Sequence, residues 1–125
     1  MDSNLEEYLE YLCSETNDIN GLIVVSNEGL PIAIATSVQN SDQTLISGMC
    51  TALKCIGKEL IQETTNSNLK RMLVDCSDGV ILIQPFPNQE GILVASSKNA
   101  VALKKLDISS IQMYFSSDHD HLVAL

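Results

Sequence analysis

The run Val80-Ile81-Leu82-Ile83 is aliphatic at every position and is flanked by Gly79 and by Gln84-Pro85. Successive side chains of a strand point to opposite sides of the sheet. A strand with one wet face would alternate, and this one does not. It suits a strand covered above and below, so the sheet that holds it needs helices on both faces. Asp78-Gly79 just before it is the strongest short hairpin signal in the chain and joins it to a strand at residues 69–76. Residues 91–96 supply a third strand after it.

The first half of the chain shows the same grammar. Leu5, Tyr8, Leu9, Leu12 and Thr16 recur at three- and four-residue spacing, which predicts a helix over residues 3–16 with one apolar stripe. Ser3 and Glu6 have the spacing of a capping box, and Glu6, Glu7 and Glu10 lie off the stripe. Gly21-Leu22-Ile23-Val24-Val25-Ser26 reads as a strand, Asn27-Glu28-Gly29 as a turn in which Gly29 can take positive φ, and Pro31-Ile32-Ala33-Ile34-Ala35 as the second strand of that hairpin. Asn40, Ser41 and Asp42 offer N-caps for the longest helix. A last helix starts at Ser97 or Asn99 and carries Val101, Leu106, Ile108, Ile111 and Phe115, with a break expected between Asp107 and Ser110.

The long helix carries two patterns. Leu45, Met49, Ala52, Leu53, Ile56 and Leu60 make an apolar stripe at helical period. Ser47, Gly48, Thr51, Ala52 and Cys55 are small residues three and four apart. Gly48 and Gly57 each cost about 0.5–1 kcal/mol in a helix interior relative to Ala, so something should approach closely there. That neighbour is either the helix's own sheet or a second copy of the same helix. The stretch Leu69-Lys70-Arg71-Met72-Leu73-Val74-Asp75 carries charges, as an edge or partly solvated strand would. An edge strand must be blunted or paired, and pairing with its own copy would do so.

The whole reads as a five-stranded, mostly antiparallel α/β sandwich in the order α-β-β-α-β-β-β-α, with helices on both faces and the long helix as crossover. Its 125 residues make one domain, expected at 1–116, with 117–125 a tail. Trp is absent, so the core is Leu, Ile, Val and Ala rather than a stacking surface for bases or sugars. Sixteen acids against seven bases give a net charge of −9, which disfavours nucleic acid and anionic membrane surfaces as partners. The longest apolar runs are too short to cross a bilayer. The acidic first residues lack the basic and apolar regions of a secretory leader, so none is expected. Cys13, Cys50, Cys55 and Cys76 form no CxxC pair, which fits a cytoplasmic protein with reduced, mostly buried thiols.

The order of elements, together with the segment 21–33 (GLIVVSNEGLPIA), Leu73-Val74-Asp75 and Gly79-Val80-Ile81-Leu82, resembles the roadblock (dynein light chain-like) domain family over residues 3–115. Longin domains and profilin-like folds share the central sheet, but longins usually begin with a strand rather than a helix. The resemblance implies a dimer in which the long helices pair antiparallel and the third strands join into one sheet. It places Ser47, Gly48, Thr51, Ala52 and Cys55 at or near the helix pair, and Lys70, Arg71, Met72, Leu73 and Val74 at the strand junction. It further implies a non-catalytic scaffold or regulator of a Ras-like small GTPase, with a GAP-type or anchoring role. A motor-complex light chain is the same object with another partner. A small-molecule-binding sensor is the alternative of a different class.

Enzyme readings find little support in the residues. The chain has no Gly-rich phosphate loop, and no cofactor or catalytic set is expected. Cys50 and Cys55 read as small packing residues, since five-residue spacing puts them on different sides of a helix. Asp78 is explained by its turn. The alternating Asp118-His119-Asp120-His121 could ligate a transition metal, but a short polar segment near a terminus reads first as a solvated tail, and no metal is expected. Arg71, the one arginine, is expected at the dimer junction rather than as a finger aimed at a GTPase phosphate.

Overall fold

A computed structural model describes the backbone of residues 4–36 and 42–124 and the side chains of residues 4–36 and 42–117. The elements run α1 (Asn4–Glu15), β1 (Ile19–Ser26), β2 (Pro31–Thr36), α2 (Gln43–Thr65), β3 (Met72–Cys76), β4 (Gly79–Pro85), β5 (Gly91–Ser97), α3 (Ala100–Leu103) and α4 (Ile108–Ala124). The strands form one sheet in the order β2-β1-β5-β4-β3, and every pairing is antiparallel.

Alternation along the central strands sorts the core into two layers. Leu22 and Val24 of β1, Val80 and Leu82 of β4, and Leu93 and Ala95 of β5 pack with Leu5 and Leu9 of α1 and with Ile111 and Phe115 of α4. Ile23, Val25, Ile83, Ile92 and Val94 point the other way and meet Cys50 of α2. The α1/α4 layer is thick, and the Tyr8 and Tyr114 rings stack there with centroids 4.4 Å apart. Phe86, fully buried, meets Phe115 at 5.3 Å. The α2 layer is thin, because few side chains of that helix reach the sheet.

Local chemistry sets the boundaries. Asp42 caps α2 by accepting from the Leu45 N–H at 3.0 Å, while Asn40, Ser41 and the expected Ser3 cap lie outside the described residues. Asn66 ends α2 in the left-handed region at φ 53°, where Asn is tolerated better than most residues. The expected break in the last helix is present. Lys104, Lys105 and Leu106 close α3 through turn hydrogen bonds. Asp107 then caps α4, accepting from the Ser110 hydroxyl at 2.8 Å and from the Ser109 and Ser110 N–H groups at 3.0 and 3.3 Å. These bonds, led by the one from the Ser110 hydroxyl, hold its carboxyl below the usual carboxylate range. The α4 backbone stays helical through Ala124; the side chains of His119 and His121 are outside the described set.

Two boundaries differ from the sequence expectation. β3 starts at Met72, not Leu69, so Lys70 and Arg71 precede the strand. The β3–β4 turn is Ser77-Asp78, with Gly79 already paired to Cys76 in β4. A Cβ on Gly79 would stand 2.8 Å from the Ser97 carbonyl oxygen of β5. Close approach of the neighbouring strand, not the turn, therefore uses that glycine. Gly29 does serve its turn, at φ 86°.

Replacing Phe86 with Ala should cost about 3–5 kcal/mol of unfolding free energy. Asp42→Ala should cost about 1 kcal/mol through loss of the cap. Urea unfolding followed by circular dichroism measures both, and equal losses would contradict this division between core and cap.

Candidate functional site

α2 is apolar around more than half its circumference. Its sheet-facing side is built mostly from small groups: Ser47, Cys50 and Gly57 are buried, with half-buried Ile46 packed on the sheet beside them. A Cβ on Gly57 would meet the Met72 Sδ at 2.9 Å and the Leu69 Cδ2 at 3.4 Å, so this glycine admits the entry to β3 beneath the helix. Of the two neighbours that the sequence left open, the helix's own sheet accounts for Gly57. Gly48 is different: nothing lies within 4 Å of where its Cβ would be. Gly48, Ala52 and Cys55 are exposed. Thr51 is half-buried, its hydroxyl donating to the Ser47 carbonyl at 2.8 Å.

Most of the large apolar residues of α2 are exposed. Leu45, Met49, Leu53, Ile56 and Leu60 are between 37% and 63% exposed, far more than a core stripe allows. A helix apolar on two sides is built to be covered on two sides, and among the described residues only the side toward the sheet is covered. The β3 edge lies next to it: β3 pairs with β4 alone, and Leu73 through Cys76 are exposed. Met72 and Val74 point to the α2 side of the sheet. Leu73 lies across from Leu82 and so points to the opposite side, toward α3 and α4. Lys70 and Arg71, expected in the strand, are exposed in the segment before it.

Between α2 and the sheet lies a cleft of about 380 Å³. Ile46, Met49 and Leu53 of α2 form one wall, and Ile23, Ile81, Ile83 and Val94 the other, with Val74 at the β3 edge. The Ser47 hydroxyl oxygen is buried with no hydrogen-bond partner among the described residues. Burial pushes the Cys50 thiol up, as it does Cys13, with Glu10 adding to the effect. Neither is a poised nucleophile. The sequence reading of mostly buried thiols holds for Cys50 alone: Cys13 is half-buried, and Cys55 and Cys76 are exposed. Cys55 is thus not a packing residue of this protomer. Among the described residues, no group of three or more His, Cys, Asp or Glu could hold a metal ion.

The Roadblock/LC7 domain family model matches residues 9–101. The chain belongs to the Roadblock/LC7 family. This roadblock domain matches no curated protein, but solved structures share its fold. A Roadblock/LC7 domain from Streptomyces avermitilis superposes with a TM-score of 0.74 at 13% identity, over 97% of this chain and 99% of that one. MglB of Myxococcus xanthus gives 0.68 at 14% identity, over 94% and 90%. The gliding protein MglB of Thermus thermophilus gives 0.63 at 8%, over 94% and 87%. The five-stranded sheet with its helices in α-β-β-α-β-β-β-α order is the roadblock fold, with the last helix divided into α3 and α4. No helix among the described residues is long and apolar enough to cross a membrane.

Because a buried hydroxyl without a partner costs about 1–3 kcal/mol, Ser47→Ala should leave the roadblock domain more stable by about 1 kcal/mol in urea unfolding. A clear loss of stability would show that the hydroxyl has a partner in solution.

Proposed function

We propose that this roadblock domain is a non-catalytic homodimeric platform that scaffolds or regulates a Ras-like small GTPase. The observation that carries the reading is the outward apolar stripe of α2 beside the open edge of β3. The stripe is also symmetric in sequence. A two-fold axis between Ala52 and Leu53 sets Leu45 against Leu60 and Met49 against Ile56 of a second antiparallel copy. Self-complementarity of this kind is what an isologous interface requires. Exposed Val74 and the free β3 edge extend the same face, so strand could join strand while helix packs on helix. The family resemblance supports the GTPase as partner, and one neighbour of the same fold is an MglB with a tetrameric arrangement. Exposed Cys55 and Cys76 fit a reducing, cytoplasmic setting. In this reading residues 1–116 are the working domain.

The cleft under α2 favours one further reading, a sensor for a small apolar ligand, since its volume falls within the range of about 300–1,000 Å³ usual for ligand sites. Its walls are almost wholly apolar, whereas ligand sites use a few converging polar groups to fix orientation. The platform therefore accounts for more of the surface. Native mass spectrometry of purified protein separates the two: a dimer without bound ligand supports the platform.

Light scattering behind size exclusion should give a mass near twice 13.6 kDa, and Ile56→Glu should return the chain to a folded monomer. A wild-type monomer overturns the reading. In a nucleotide-hydrolysis assay with a Ras-like GTPase from the same genome, Arg71→Ala should retain any stimulation. Its loss with the dimer intact would make Arg71 a finger after all.

A further inference from the structure

Part of the basic charge of this acidic chain gathers in one place. Of seven Lys and Arg residues, Lys70, Arg71 and Lys104 line a single cleft of about 310 Å³ on the α3/α4 side of the sheet. There the segment entering β3 faces the connection from α3 to α4. Leu73 and Leu82 floor the cleft, and Leu103, Leu106 and Ile108 wall it. All three cations are exposed, and none makes an ion pair or side-chain hydrogen bond with another described residue. The acid nearest in sequence on the α4 side, Asp107, is turned to the α4 N-terminus by its bonds to Ser109 and Ser110. Three like charges thus line an apolar hollow whose lining, among the described residues, includes no carboxylate, in a chain that carries sixteen acids.

We propose that this cleft binds an acidic peptide segment of a partner protein, one in which carboxylates flank an aliphatic side chain. Each half of the site asks for its own chemistry. The Arg71 fork matches a carboxylate bidentately, and Lys70 and Lys104 add point charges. The leucine floor gains only if an apolar group enters with the charge. Inorganic phosphate would satisfy the cations and leave the floor wet. A nucleic acid or an anionic bilayer would extend past the cleft and meet the repulsion of the net −9 charge. The cleft lies on the face of the sheet opposite α2, because Leu73 and Leu82 point away from that helix. The inference therefore does not rest on the dimer or on the GTPase.

The probe is a fluorescein-labelled peptide, Asp-Asp-Leu-Asp-Asp-Leu, titrated with the intact chain and read by anisotropy. Saturable binding is expected, weakening as salt rises. Lys104→Glu, and independently Arg71→Gln, should weaken it about tenfold or more with unchanged dimer mass and thermal midpoint. The inference is overturned if the peptide does not bind, or if both variants bind as wild type. It is equally overturned if Asn-for-Asp or Ser-for-Leu peptides bind as tightly. Binding to phosphatidylserine-containing vesicles without binding to the peptide would identify the cleft as a lipid site instead.

Discussion

Two-sided burial of β1, β5 and β4 is the constraint from which the remaining structure follows. Each of these strands sends alternate aliphatic residues into two layers, so neither face of the sheet can be left to water. α1 and α4 cover one face with large side chains and an aromatic stack. α2 has to cover the other and also connect β2 to β3 across the sheet. Once both faces are taken, only the edges remain open, and β3 is the strand left at one of them.

α2 meets its task in an unusual way. Small groups, Ser47, Cys50 and Gly57, face its sheet beside Ile46, and most of its large aliphatic residues are exposed. Close approach at Gly57 lets Met72 and Leu69 tuck beneath the helix, but small groups cannot fill the space further along, and the apolar cleft is the result. The helix therefore keeps an uncovered apolar side in addition to the one it lays on the sheet. The spacing of that side maps onto itself under two-fold rotation, the self-complementarity on which the proposed homodimer rests.

Charge is distributed as unevenly as apolar surface. The chain is acidic overall, which discourages polyanion partners. Yet Lys70, Arg71 and Lys104 collect where β3 meets the α3–α4 connection. The later start of β3 has a consequence here. Residues of a regular strand at positions 70 and 71 would point to opposite faces of the sheet, whereas in the segment before the strand both side chains line one cleft.

Much of this was legible in the sequence, because hydrophobic periodicity is local. The unbroken aliphatic run at Val80-Ile83 required cover on both faces, and the order of helices and strands, the edge character of β3 and the interruption near Asp107 all followed from spacing and turn chemistry. The roadblock family was recognisable from the same segments. Periodicity does not say which side of a doubly apolar helix turns inward. The tertiary structure decided that Ser47 and Gly57 meet the sheet while Leu45, Ile56 and Leu60 do not, since the choice depends on how closely helix and sheet must approach. It also decided that Gly79 yields to the β5 carbonyl rather than to its turn, and that Lys104 joins Lys70 and Arg71. Those are contacts between residues far apart in the chain, and no local pattern encodes them.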